Sequence, residues 1–173
     1  YNMGQACNSN KRMIVSADLH DAFVAELVSL AQAMRPGESA SEDETVYTPL
    51  SSRAAAEALA EQVARAREQG ATVHVGGELT DDAGAYFSPT VITGVTAEMD
   101  AYREELFGPV AVVYRADSVE EALALANERR HEYATLEHLL LARGQFQLAH
   151  LGGAIQRFVA QANHRAVKLQ AVL

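Results

Sequence analysis

The sequence has 173 residues, 49% of them hydrophobic, which suits one soluble globular domain with its own core. Its formal net charge of −9 argues against nucleic acid and anionic membranes as partners, since both are bound through clustered Lys and Arg. No apolar run is long enough to span a bilayer and the first residues lack signal-peptide features, so a cytoplasmic location is expected.

The first part of the chain predicts a strand and then a helix. Residues 11–15 form a short run that ends in apolar side chains, which is typical of a buried strand. A helix over residues 18–34 is predicted by apolar side chains that recur on one face. They are Phe23, Leu27, Leu30 and Met34. Pro36-Gly37 ends this helix, and the acidic residues 38–45, which have no periodicity, are expected to form a surface loop.

The middle of the chain continues the alternation of helices and strands. An Ala-rich helix over residues 53–69 follows the cap Ser51-Ser52 and ends at Gly70. Another helix is expected to start at Asp117-Ser118. Three stretches have the pattern of strands, namely residues 71–75, 86–95 and 110–114. This alternation predicts an α/β fold with a mostly parallel sheet and flanking helices.

The composition changes beyond about residue 127. All 23 acidic side chains lie in residues 1–142, whereas residues 143–173 carry four basic side chains and no acidic one. We therefore predict a domain over residues 1–127 and a helical tail of different character over residues 128–173. One face of this tail is apolar, which favours core packing or helix contact, with a membrane-surface helix as the alternative.

Cys7, the only cysteine, ends the segment Asn2-Met3-Gly4-Gln5-Ala6-Cys7 and shortly precedes Lys11-Arg12 and the first strand. A single cysteine cannot form an internal disulfide. In a polar turn it can be reactive, because a nearby cation or backbone N–H groups stabilise the thiolate. From the residues alone, a small half-buried side chain without a chemical role is the alternative.

The pattern Asn-x-Gly-Gln-x-Cys before a basic residue and a strand resembles the nucleophile loop of the aldehyde dehydrogenase superfamily, with Cys7 in the place of the catalytic cysteine. The resemblance implies that the Cys7 thiolate attacks an aldehyde and that its own backbone N–H and an upstream asparagine hold the oxyanion. Hydride then passes to NAD or NADP, and water hydrolyses the thioester. The sequence from Gly4 to Arg12 is similar to that of the succinate-semialdehyde dehydrogenase branch.

A second motif is Arg103-Glu104-Glu105-Leu106-Phe107-Gly108-Pro109. Without any family resemblance, these residues could form a turn with two solvated glutamates before a strand. It resembles the same family's Glu-x-Phe-Gly-Pro motif, which implies that Glu105 accepts hydrogen bonds from the nicotinamide ribose and that Phe107 lies beside the nicotinamide ring. A carboxylate suits a diol because its two oxygens can accept both hydroxyls.

The sequence also departs from the family. Thr48 stands where the family usually has Gly, and the chain contains no G-x-G-x-x-G that could cradle a pyrophosphate. In the family, the general-base glutamate and the oxyanion asparagine precede the cysteine by far more than the six residues that precede Cys7 here. Because the chain also begins at Tyr1, we expect it to be a fragment.

Residues 121–142 resemble the first helices of the amino-terminal domain of Clp-type AAA+ ATPases, over too short a stretch to carry that function. His131 and His138 lie seven residues apart and match no metal-binding motif, so no metal is expected.

The leading hypothesis is NAD(P)-dependent oxidation of an aldehyde to a carboxylic acid, incomplete in this chain. The identity of the aldehyde and homo-oligomerisation are left open. One alternative is a thiol esterase that needs no cofactor. Another is an inactive truncated or chimeric module that acts only in protein binding, which the missing dinucleotide site favours over the esterase.

Overall fold

The computed structural model describes residues 2–7, 9, 12–38, 43, 45–80, 84–127 and 138–140. The helices are α1 (Ala17–Ala33), α2 (Arg53–Glu68), α3 (Asp100–Arg103) and α4 (Val119–Asn127). The strands are β1 (Arg12–Ser16), β2 (Arg35–Pro36), β3 (Val46–Tyr47), β4 (Thr72–Val75), β5 (Thr90–Thr93), β6 (Val110–Ala116) and β7 (His138–Leu140).

Five strands form one sheet in the order β4-β5-β6-β1-β7. Strands β5, β6, β1 and β7 pair in parallel, and β4 pairs with β5 antiparallel. Five consecutive residues of β6 are buried, as expected for a strand covered on both faces. The predicted α/β class with a mostly parallel sheet and flanking helices is therefore confirmed.

The two faces of the sheet pack against different helices, because side chains alternate along each strand. On β6, Val112 and Tyr114 belong to the core beneath α2, whereas Ala111 and Val113 belong to the core beneath α1. From α1, that second core receives Phe23, Val24, Leu27 and Ala31. Leu30, which the sequence placed on this face, is only half-buried.

The ends of α2 agree with their predicted caps. The Ser52 hydroxyl accepts a hydrogen bond from the Ala55 backbone N–H at 3.1 Å, and Gly70 has φ +112° after the last turn. By contrast, α1 ends at Ala33 rather than Met34, because Met34 has an extended backbone.

The carboxyl-terminal part differs from the prediction where it is described. His138–Leu140, which the sequence placed in a helix-like segment, instead forms β7 beside β1, with His138 opposite Met13. The predicted helical character of residues 141–173, and His131 with its neighbours, lie outside the described residues.

Candidate active site

The two sequence motifs meet at one edge of the sheet. Cys7 precedes β1 and Glu105 precedes β6, and these strands are parallel neighbours with Arg12 opposite Val112. The segments that enter such strands must therefore lie near each other. Their backbones pack directly, because a methyl group at Gly4 would overlap the carbonyl oxygen of Gly108.

The loop that carries Cys7 begins with a left-handed turn over Asn2–Gly4. Asn2, Met3 and Gly4 have φ of 47°, 52° and 75°, and the Gln5 backbone N–H closes the turn on Asn2 O at 3.0 Å. Two central residues with positive φ are typical of a type I′ turn. For Met3 this conformation costs about 1–2 kcal/mol, and its side chain is buried in the core beneath α2, which offsets that cost.

Cys7 lies in a second turn, which the Ser9 backbone N–H closes on Ala6 O at 2.9 Å. The cysteine is exposed and carries a free thiol. Upstream, the Gln5 side chain connects the loop to the segment before α2, because Gln5 Oε1 accepts a hydrogen bond from the Ser51 backbone N–H at 2.7 Å. Cys7 is therefore an accessible cysteine on a loop that the Gln5–Ser51 hydrogen bond holds in place.

Glu105 and Phe107 are also exposed, with Phe107 at 44%. The segment that carries them is held from α2. Arg65 donates to both carboxylate oxygens of Glu104 at 3.0 Å, and Gln62 Nε2 donates to Glu104 at 3.1 Å and to the Glu105 carbonyl at 3.3 Å. The side chains of Glu105 and Phe107 therefore project from a backbone that α2 supports.

Arg12, which the sequence identified only as a basic residue after Cys7, has a structural role that the motif did not predict. Its side chain is almost fully buried, and its guanidinium lies 4.9 Å from the Tyr102 ring centroid and 4.5 Å from that of Tyr114. It also donates to the Leu125 carbonyl at 3.1 Å. These contacts give the basic residue after the cysteine a structural role, in which it connects β1 to α4 and to two aromatic rings.

The described residues also bear on metal binding and on membrane insertion. Among those that the structure describes, no three His, Cys, Asp or Glu side chains come together as a metal site. The described helices also include none that is both long enough and apolar enough to cross a membrane.

Several known proteins are similar to this chain in sequence and in fold. Residues 1–135 match the model of the aldehyde dehydrogenase family. Succinate-semialdehyde dehydrogenase [NADP(+)] of Deinococcus radiodurans is 51% identical over 126 residues, which are 73% of this chain and 26% of that protein. Succinate-semialdehyde dehydrogenase [NADP(+)] 1 of Mycobacterium tuberculosis is 41% identical over 126 residues, or 73% of this chain and 27% of that protein.

Solved structures give the same result. Succinic semialdehyde dehydrogenase from Streptococcus pyogenes, solved with NADP+, has a TM-score of 0.69 and 36% identity over 74% of this chain and 28% of its own. Lactaldehyde dehydrogenase from Escherichia coli has a TM-score of 0.66 and 40% identity over 73% of this chain and 27% of its own. The chain thus spans roughly a quarter of the curated relatives that it matches.

Proposed function

This chain belongs to the aldehyde dehydrogenase family, and on that premise we propose that it carries the nucleophile of an NADP-dependent enzyme that oxidises succinate semialdehyde to the acid. One observation carries the proposal. Gly4 packs against Gly108, so that the loop with Cys7 lies beside the Glu105–Phe107 segment. The side chains of Cys7, Glu105 and Phe107 are all exposed. A nucleophile and a cofactor-contacting motif need this adjacency.

Cys7 has the role of the nucleophile. Its thiolate adds to the aldehyde carbon and forms a thiohemiacetal, whose oxyanion needs fixed hydrogen-bond donors. Loss of hydride from that carbon leaves an acyl group on Cys7 as a thioester. Water then attacks the thioester carbon, so that the carboxylic acid leaves and the thiol is restored.

Glu105 and Phe107 have the role of contacts to the nicotinamide end of the cofactor, which supplies the hydride acceptor when it is bound. The residues fit such a group, because an exposed carboxylate can accept two ribose hydroxyls and an exposed aromatic ring can lie against a planar heterocycle. The names of the relatives, several of which specify NADP(+), favour NADP over NAD.

A segment exchange tests this function. Residues 1–127 would replace the matching stretch of the Deinococcus radiodurans relative, and NADPH formation from succinate semialdehyde would be followed by absorbance. We expect activity within about tenfold of that relative, and a loss of at least about 10³ in kcat for Cys7→Ala in the same chimera. A folded chimera that binds NADP but does not oxidise the aldehyde would contradict the proposal.

The same chimera separates the alternatives. Turnover of an activated ester without any aldehyde oxidation would favour a thiol esterase, and the absence of both reactions would favour a binding module. The division of the chain at residue 127 and a cytoplasmic location stay predictions, and homo-oligomerisation stays open.

A further inference from the structure

We propose that Gln5 is a positioning residue for Cys7, and that its side-chain amide fixes the nucleophile loop relative to α2. The inference rests on the proposed function, because it assumes that Cys7 is the nucleophile. The Gln5 amide makes two hydrogen bonds to backbone groups. Oε1 accepts from the Ser51 N–H at 2.7 Å, and Nε2 donates to the Asn2 carbonyl at 3.2 Å.

An amide is required for this pair of contacts, because one partner is a donor and the other an acceptor. Asn2 reinforces the same turn, since its own amide donates to the Gln5 carbonyl at 3.2 Å. Ser51 directly precedes Ser52, the N-cap of α2, so the outside partner of the loop is the start of a regular helix. Gln5 therefore connects a strained turn to a rigid element 46 residues further along the chain.

The consequence for Cys7 follows from its place in the chain. It lies two residues after Gln5, and the turn before it includes Met3 at φ +52°. A turn that contains a left-handed non-glycine residue persists only where its surroundings hold it. Loss of the Gln5 contacts would let the turn relax, and the thiol and the backbone N–H groups around it would move together.

Two reactions of the same thiol respond differently to such a movement. Acylation by p-nitrophenyl acetate proceeds by thiolate attack on the ester carbonyl, passes through an oxyanion and expels p-nitrophenolate, which leaves the acetyl group on Cys7. Its rate depends on donors held at the developing oxyanion. Alkylation by iodoacetamide displaces iodide from a saturated carbon and forms no oxyanion. The ratio of the two rate constants therefore reports the positioning of the loop rather than simple access to the thiol.

The experiment measures both rate constants on the full 173-residue chain, with the first equivalent of p-nitrophenolate as the acylation signal. Gln5→Ala removes both contacts, and Gln5→Glu keeps the acceptor for the Ser51 N–H. Gln69→Ala is the matched control. Gln69 makes a similar pair of bonds to Asp100, at 2.9 Å and 3.0 Å, at the opposite end of α2.

For Gln5→Ala we expect acylation to slow by roughly tenfold to a hundredfold while alkylation changes by less than about threefold. Gln5→Glu should fall between the parent and Gln5→Ala, and Gln69→Ala should leave both rate constants unchanged. If Gln5→Ala does not fold, as judged by circular dichroism, Gln5→Met takes its place, because it has similar length without hydrogen-bonding groups.

Two other results would overturn the inference. Acylation of Gln5→Ala at the parent rate would show that the amide does not position the thiol. Equal slowing of acylation and alkylation would show a general loss of access or structure. A parent chain whose Cys7 is not acylated at all contradicts the proposed function itself, so that the two failures are distinguishable.

Discussion

Gly4 determines how closely the two motif-bearing loops approach each other. It has φ +75°, and a Cβ added to it would overlap the carbonyl oxygen of Gly108, so a methyl group there would meet both backbone strain and a steric clash. Gly94 offers a matched comparison, because its φ is +72° and no atom of the described residues lies within 4 Å of an added Cβ.

We expect Gly94→Ala to lower the free energy of unfolding by about 1 kcal/mol, from the left-handed backbone alone. Gly4→Ala should lower the free energy of unfolding by about 1–3 kcal/mol more than Gly94→Ala does, because the overlap with Gly108 must be relieved by movement of the backbone. Urea denaturation of both variants measures the difference. Equal losses would show that the two loops do not pack as described.

The thiol of Cys7 should be reactive in the folded chain. Because it is exposed in a turn formed of polar and small residues, iodoacetamide should alkylate it in the native chain, and faster than a free thiol at neutral pH. The same reaction in denaturant supplies the reference rate. Cys7 is the only cysteine, so the label has a single site. Modification only after denaturation would identify a structural residue and remove the basis for a nucleophile.

Sequence reasoning reached Cys7, Glu105 and Phe107 through their motifs, and the structure brings the loops that carry them together. It named Gln5 and Arg12 as parts of the first motif but did not predict their contacts. The partners of these two side chains, Ser51 and the rings of Tyr102 and Tyr114, lie 46 to 102 residues away along the chain. Contacts of that kind depend on the tertiary fold, and a local pattern carries no signal for them.

Among the elements, β2 and β3 are held by polar contacts around one carboxylate. Asp43 accepts from the Thr45 backbone N–H at 2.8 Å and from the Thr45 hydroxyl at 2.7 Å, and Arg35 pairs with it. The Thr45 hydroxyl, followed by the Thr45 N–H and then Arg35, holds the pKa of Asp43 below its ordinary value. A group with a depressed pKa stabilises the fold above its ordinary pKa, and this contribution is lost as the pH falls through the depressed value.

We therefore expect Thr45→Ala to raise the pKa of Asp43 towards its ordinary value, and Thr45→Ser, which keeps the hydroxyl, to change it much less. Carboxyl chemical shifts followed by NMR as the pH is lowered measure both. In Asp43→Asn, the part of the acid dependence of stability that Asp43 contributes should disappear. An unchanged Asp43 pKa in Thr45→Ala would show that the hydroxyl is not its main partner.

The helices and longer strands were predictable because their apolar side chains recur with a clear period, and because Ser52 and Gly70 mark the ends of α2. Three of the short elements were not predictable. Strands β2 and β3 and helix α3 are too short to show a period. The apolar run that includes Leu139 and Leu140 suits a helix or a strand equally. It forms strand β7 because it pairs with β1, which lies more than 120 residues earlier in the chain.

The affinity of the whole chain for NADP or NAD should be low. In the proposed function, Glu105 and Phe107 contact only the nicotinamide end of the cofactor, and the sequence has no glycine-rich turn of the G-x-G-x-x-G type for the pyrophosphate. Calorimetric titration of the 173-residue chain with NADP and with NAD should show weak binding or none. Micromolar affinity for either would mean that other residues of the chain form a dinucleotide site.

The last prediction is that the 173-residue chain alone forms no measurable NADPH or NADH from succinate semialdehyde. The family resemblance implies a general base that precedes these residues, and its absence would slow thioester hydrolysis by roughly 10²–10⁴, the usual contribution of general acid–base catalysis. The resemblance also implies an upstream oxyanion donor, whose absence would remove on the order of another 10²–10³. Without a firmly bound nicotinamide, the advantage of a positioned hydride acceptor is lost as well.

These losses need not multiply, yet any two of them would bring turnover below detection, while the segment exchange described above should restore it. Absorbance at the NADPH band measures both, with Cys7→Ala as the control in each. The two results together show whether the general base and the oxyanion donor lie inside or outside these residues. An inactive chain and an active chimera place them in residues outside this sequence, whereas strong activity of the chain alone, abolished in Cys7→Ala, would show that these 173 residues already hold a base and an oxyanion donor.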